Sequence, residues 1–191
     1  MKILAIATTI VLLAPAALPV GAFDLRPPDS RVEFVVKDNR GGFTGETREV
    51  SGTVTVRERE VGYAADVEAK IDARTIRTGA TLRDAQMRSP AFLNTAAFPF
   101  ITFSGTVTAE GPTPPQLKGT MRGRLTIKNV ARDVEVPIDI TVEGNTYTAR
   151  GEVVVKFTDF GLPIPRFLIF VAEDSILIRL QVRLRPKGPS S

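Results

Sequence analysis

The sequence predicts a mainly β fold, an eight-stranded antiparallel barrel over residues 23–185 with a short helical insert at about residues 81–95. Three observations carry this. Eight runs alternate apolar and polar residues with period two. Their connections are rich in turn residues, and one stretch, Thr81 to Phe100, interrupts the alternation with a helical pattern. Strands with one apolar face each close readily into an up-and-down barrel, because closure removes both unpaired edges. A two-sheet sandwich is the competing arrangement.

At the start of the chain, Lys2, the apolar stretch Ile3 to Ala14 and the small residues Val20-Gly21-Ala22 read as a secretory signal, residues 1–22, cleaved after Ala22. An uncleaved anchor is the alternative, although the apolar run is shorter than the roughly 18 residues a spanning helix needs. The first strand sets Val32, Phe34 and Val36 against Arg31, Glu33 and Lys37; the second sets Val50, Gly52, Val54 and Val56 against Ser51, Thr53, Thr55 and Arg57. The third carries Tyr63, Ala65, Val67, Ala69 and Ile71, and the fourth Ile101, Phe103, Gly105 and Val107. Leu117 to Ile127, Val134 to Val142, Tyr147 to Phe157 and Ile176 to Leu184 complete the set. Gly144-Asn145 is a two-residue hairpin signal, Glu60-Val61-Gly62 a turn, Glu110 to Gln116 a Pro-rich loop, and residues 186–191 a flexible tail.

Composition narrows the chemistry. The chain has no histidine and no cysteine. Cys-His and Ser-His-Asp catalysis, thiol redox and the usual zinc and haem ligation are therefore excluded. The net charge of +4 is dispersed along the strands and gives no basic stripe for nucleic acid.

Alternation alone leaves the direction of the apolar face open. Faced outward, it would make an eight-stranded outer-membrane barrel. Two tyrosines, no tryptophan and a Pro-Ser-Ser end lack the aromatic girdles of such barrels and favour an apolar interior. An eight-stranded interior is either filled by side chains or holds one slender ligand. The small inward residues Gly52, Ala65, Ala69, Gly105, Gly119, Gly123, Ala149 and Gly151 favour a cavity, although glycines also mark bends. Its lining of Val, Ile, Leu, Met and Phe calls for a hydrocarbon occupant.

In the insert, Thr81-x-x-Asp84 fits a capping box, Ser89-Pro90 ends the helix and can begin a second turn, and Leu82, Met87, Phe92, Leu93 and Phe98 can cover one barrel end. Arg83, Asp84 and Ser89 lack a base poised near neutrality, so a carboxylate hydrolase is the weakest reading. The apolar segment 162–171 is partly core, and partly either an entrance or a docking patch for a partner.

Five motifs carry a family resemblance. They are Ser30-x-Val32-x-Phe34; Arg83-Asp84 with Met87-Arg88-Ser89 and Phe92; Phe98-Pro99-x-Ile101-x-Phe103-Ser104; Gly123-x-Leu125-Thr126-Ile127-Lys128 with Val130 and Arg132; and Asp159-Phe160-Gly161. In this order they resemble the YceI-like family. The resemblance implies an exported, lipocalin-like barrel that binds a long isoprenoid chain and catalyses nothing. Where members commonly carry histidines beside the first strand, this chain has Asp29 and Asp38; Asn129, Ala131 and Phe157 are further departures, so head-group contacts do not transfer.

The expectation is a periplasmic or secreted lipid-binding protein with no catalytic residue, no metal and no cofactor besides the lipid. The tunnel is expected at Phe34, Val54, Val67, Phe103, Met121, Leu125, Val136, Tyr147 and Val153. Its gate is expected at Leu82, Arg83, Met87, Arg88, Phe92, Phe160, Leu162 and Phe167. Transient membrane contact and a homodimer are left open as partners.

Overall fold

The structure, a computed structural model, describes residues 20–113, 116–167 and 169–186. Eleven strands form one antiparallel sheet system: β1 (Gly21–Leu25), β2 (Arg31–Asp38), β3 (Phe43–Thr47), β4 (Val50–Glu58), β5 (Tyr63–Asp72), β6 (Phe100–Thr113), β7 (Gln116–Ile127), β8 (Val130–Glu143), β9 (Thr146–Lys156), β10 (Arg166–Phe167) and β11 (Phe170–Pro186). The single α-helix among the described residues, α1, spans Thr81–Arg88.

The count of eleven resolves into eight barrel positions. β11 pairs with β1 at Phe23↔Pro186 and Asp24↔Arg185, and with β2 from Arg31↔Gln181 onward. β1 and β2 are thus two halves of one broken strand. Across the barrel wall β1 pairs with β4 and β2 with β3, so β3 and β4 are likewise one interrupted strand. The ring closes through β4, β5, β6, β7, β8, β9 and β11 back to β1.

At the first break Ser30 is fully buried, and its hydroxyl accepts a hydrogen bond from the Arg183 amide at 3.2 Å. That satisfies a β11 donor lying between the stretches paired with β1 and with β2, where an orphaned amide would be costly. Sequence alternation found β2 and β4 but passed over β1 and β3, which are five residues each.

Register matches the period-two reading. Val54↔Val67, Val67↔Gly105, Gly105↔Gly123 and Gly123↔Val134 continue one inward row across β4 to β8. The outer face is laced with ion pairs. The Arg122 guanidinium donates to both oxygens of Glu135 at 2.8 Å, Arg57 pairs with Asp66, and Arg179 bridges Glu33 and Glu152. A charged exterior of this kind does not fit the apolar outer band of a membrane barrel, which corrects that alternative.

Two apolar clusters make up the interior of the barrel. One, around Phe23, Leu117, Val142, Tyr147 and Leu184, closes the end that carries the short β4–β5 and β8–β9 turns. The other, around Val36, Met87, Leu93, Phe157, Phe160 and Leu162, lies where the insert packs. Of the expected signal, residues 1–19 lie outside the described residues, while Gly21 and Ala22 pair with Val56 and Thr55. Pro186, assigned to the tail, is the last residue of β11, and 187–191 lie outside the described residues.

Candidate functional site

A cavity of about 670 Å³, lined by members of both clusters, runs through the barrel and is within the size range of small-molecule sites. Along β5 its lining extends from Tyr63 to Ile71, roughly 20 Å along the barrel axis for a strand tilted near 40°. All nine expected tunnel residues line it: Phe34, Val54, Val67, Phe103, Met121, Leu125, Val136, Tyr147 and Val153. Val54, Val67, Val136 and Tyr147 are buried, whereas Phe34, Phe103, Met121, Leu125 and Val153 keep some accessible surface because they border the space.

Several of the glycines are covered by neighbouring side chains rather than opening directly onto that space. Gly105 and Gly123 are opposite each other on β6 and β7, and a Cβ on either would approach Cζ of Phe103 to 2.8 and 2.7 Å. The Phe103 ring already occupies the volume they leave. The Phe34 ring covers Gly45 in the same way, and the side chains of Val136 and Ile138 cover Gly151.

At the closed end the Phe23 and Tyr147 rings meet edge to face, with centroids 5.2 Å apart. Burial there, with a smaller contribution from Tyr63, raises the Tyr147 hydroxyl to about 12. It is neutral at physiological pH.

At the other end the insert begins with a 3-10 turn, Ala73–Thr75, and continues into α1. The expected capping box does not form. Ala80 is the N-cap residue and makes no side-chain cap, while the Asp84 carboxylate accepts from the Thr78 amide at 2.8 Å and the Thr78 hydroxyl at 2.7 Å. Asp84 therefore ties down the loop before the helix rather than Thr81. Burial opposes its charge, but the Thr78 hydrogen bonds and the nearby Arg88 and Arg77 outweigh it and hold the carboxyl below its usual range. A buried, ionised carboxylate already engaged in this way is poorly placed for proton transfer. Ser89 is the C-cap, as expected, and the chain beyond it continues in a series of turns.

The gate residues divide. Leu82, Arg83, Met87, Phe92 and Leu162 line the cavity. Leu82 is 75% exposed, whereas Met87 and Leu162 are buried. Arg83 lays its guanidinium over the Phe43 ring, 4.2 Å from the centroid, and donates through Nε to the Thr78 hydroxyl at 3.0 Å. Arg88 is not at the opening. It donates to the carbonyls of Arg74 and Ile76 at 2.9 Å each and so clamps the insert to itself. Phe160 is also not a gate, being 1% exposed within the core. The side chain of Phe167 and all of Leu168 lie outside the described residues.

Sequence reasoning missed the rest of the rim: Asp38, Arg40 and Phe43 from the β2–β3 hairpin, Gln86 from α1, and Pro165 and Arg166 before β11. Phe43, Gly45 and Thr47 do alternate, but the run is short and comes directly after Gly41-Gly42, so its period does not stand out. Among the described residues no group of acidic side chains is arranged to hold a metal ion, and no helix is long and apolar enough to cross a membrane.

A closed antiparallel barrel with a helical insert at the cavity's polar end is the arrangement that the motifs predicted. The model of the YceI-like domain matches residues 23–184. The chain belongs to the YceI-like family. Among solved structures it is similar to BcnA of Burkholderia cenocepacia, with 20% identity and a TM-score of 0.69, covering 83% of this chain and 98% of that one. It is also similar to a polyisoprenoid binding domain from Saccharophagus degradans implicated in plant cell wall breakdown, with 14% identity and a TM-score of 0.67, covering 87% and 99%. A YCEI protein of Campylobacter jejuni matches at 18% identity and a TM-score of 0.58, covering 98% and 100%. At these identities the structures speak for the fold of this YceI-like chain. Comparison with curated proteins found no match.

Proposed function

We propose that this YceI-like protein holds a long-chain isoprenoid lipid, or a similar amphiphile, in its barrel for transport, storage or sequestration. The observation that supports this most directly is the cavity of about 670 Å³, mostly apolar along its length and with its charged lining residues only toward the insert end. Each Å² of hydrocarbon and wall removed from water stabilises the complex by about 25 cal/mol. The tail lies among the nine tunnel residues, and access passes Leu82, Arg83 and Phe92 beside α1. The polyisoprenoid binding domain from Saccharophagus degradans, which shares the fold, agrees with that class of ligand. We read the chain as exported, with residues 1–22 removed and the barrel working in the periplasm or outside the cell, without a catalytic step.

The test is extraction of protein purified from a host that makes its natural lipids, followed by mass spectrometry. One dominant long-chain species in near-equimolar amount is expected. Protein that is reproducibly empty from such a host would sink the proposal.

A second reading has one observation in its favour: Ile169 and Val171 are 59% and 41% exposed within the apolar segment. A protein docked there would bury both, and the barrel would then carry no lipid.

A further inference from the structure

The cavity has a chemical polarity that its apolar length alone does not explain. Its charged lining residues, Asp38, Arg40, Arg83 and Arg166, come from the β2–β3 hairpin, α1 and the segment before β11. Three guanidinium groups share this rim with one carboxylate. That carboxylate is engaged with its own turn, its Oδ1 accepting from the amides of Arg40 at 2.7 Å and Gly42 at 2.9 Å.

Several arginines elsewhere are matched with carboxylates, whereas others among the described residues, such as Arg48, Arg150 and Arg183, are not. Arg57 pairs with Asp66, Arg122 with Glu135, Arg179 with Glu33 and Glu152, and Arg185 with Asp29. Arg83 and Arg166 have no carboxylate within ion-pair distance among the described residues. Arg83 spends only Nε on Thr78, and its stack over Phe43 fixes the fork in orientation while leaving both terminal nitrogens available. A planar fork of this kind suits a phosphate oxygen pair. Gln86, exposed on the same rim, adds an amide donor.

We propose that the rim binds an anionic, phosphate-bearing head of the amphiphile, with Arg83 and Arg166 as its direct ligands and Arg40 and Gln86 beside them. This rests on the lipid-binding reading and adds the head-group class to it. The tail enters the apolar cavity while the phosphate stays on the rim, where solvent still reaches it and desolvation costs little.

The experiment uses the full mature chain stripped of lipid, and two probes with the same tail, geranylgeranyl diphosphate and geranylgeraniol. At low salt the diphosphate is expected to bind at least about tenfold more tightly, the equivalent of one charge-assisted hydrogen bond. Arg83→Gln with Arg166→Gln should remove that preference, while an unchanged circular dichroism spectrum and unfolding midpoint report an intact barrel. If the double variant does not fold, Arg166→Gln alone and the salt dependence of the wild-type preference carry the test, since the Arg166 side chain has no hydrogen-bond or ion-pair partner among the described residues. Equal affinity for the two probes overturns the head-group assignment while the lipid reading stands. Failure of both to bind rejects the lipid reading as well. Inorganic diphosphate binding as tightly as the lipid, or adsorption to anionic phosphatidylglycerol vesicles without tail uptake, also overturns the assignment, because the rim would then serve a free anion or a bilayer.

Discussion

The ring of Phe103 lies across Gly105, two residues along the same inward face of β6, so that a Cβ on Gly105 would sit 2.8 Å from Cζ of the ring. Gly123, opposite on β7, stands in the same relation at 2.7 Å. The two glycines form a flat seat that holds the aromatic ring against the wall and out of the cavity. Gly123→Ala is therefore expected to push Phe103 inward, because its Cβ would also meet Cα of Gly105 at 2.6 Å, backbone that cannot swing away. Overpacking of this kind costs about 1–3 kcal/mol. Urea unfolding should show that loss together with reduced uptake of an apolar probe; unchanged stability and uptake would mean that the glycines do not seat the ring.

A second prediction concerns the break between β1 and β2. The hydroxyl of the fully buried Ser30 takes the Arg183 amide that neither half-strand reaches. Ser30→Ala leaves that donor unsatisfied at a loss of about 1–3 kcal/mol. Hydrogen exchange resolves the effect locally, and protection at Arg183 should fall more than protection in the middle of β9. Equal protection before and after substitution would mean that the amide finds another partner.

Asp84 gives a pH dependence with a definite sign. Its carboxyl is held below the usual range in the folded protein, chiefly by Thr78 against the opposing effect of burial. A depressed carboxyl stabilises the fold fully above its unfolded value near 4, and that contribution disappears as pH falls through the folded value. Asp72 and Asp174 are lowered as well and act in the same direction. Asp84→Asn should cost about 1–3 kcal/mol at neutral pH, by weakening hydrogen bonds to a charged acceptor. It should also flatten the acid limb of a plot of unfolding free energy against pH. An acid limb as steep as that of the wild type would show that Asp84 does not titrate in this way.

The sequence made the barrel legible wherever strands were long enough for period two to repeat. Val134 to Val142 alternates without ambiguity, and every one of the nine tunnel residues falls on the cavity wall. The failures have a common physical origin in short-range competition. Thr81-x-x-Asp84 has the spacing of a capping box, yet Thr78, six residues before Asp84, offers both an amide and a hydroxyl and wins the carboxylate. Arg88 is indistinguishable from Arg83 in composition, but the carbonyls of Arg74 and Ile76 come together only after the insert folds back. Arg166 reaches the rim from β10, a strand of two residues, too short for any period to show.

Met121 tests the tunnel itself. It lies midway along β7, opposite Val107 and Val136 in the sheet, and its flexible side chain borders the cavity without being fully buried. A larger ring can therefore extend into existing space rather than displace packed neighbours, so the usual overpacking cost of about 1–3 kcal/mol should be largely avoided. Met121→Trp is expected to retain the wild-type circular dichroism and unfolding midpoint within about 1 kcal/mol while cutting lipid occupancy severalfold. The chain contains no other tryptophan, so the indole fluorescence of the variant reports its own surroundings. Emission should be that of a buried ring in the lipid-free protein and should change little on exposure to lipid. Full lipid occupancy in a folded Met121→Trp variant would take the ligand path away from this stretch of β7.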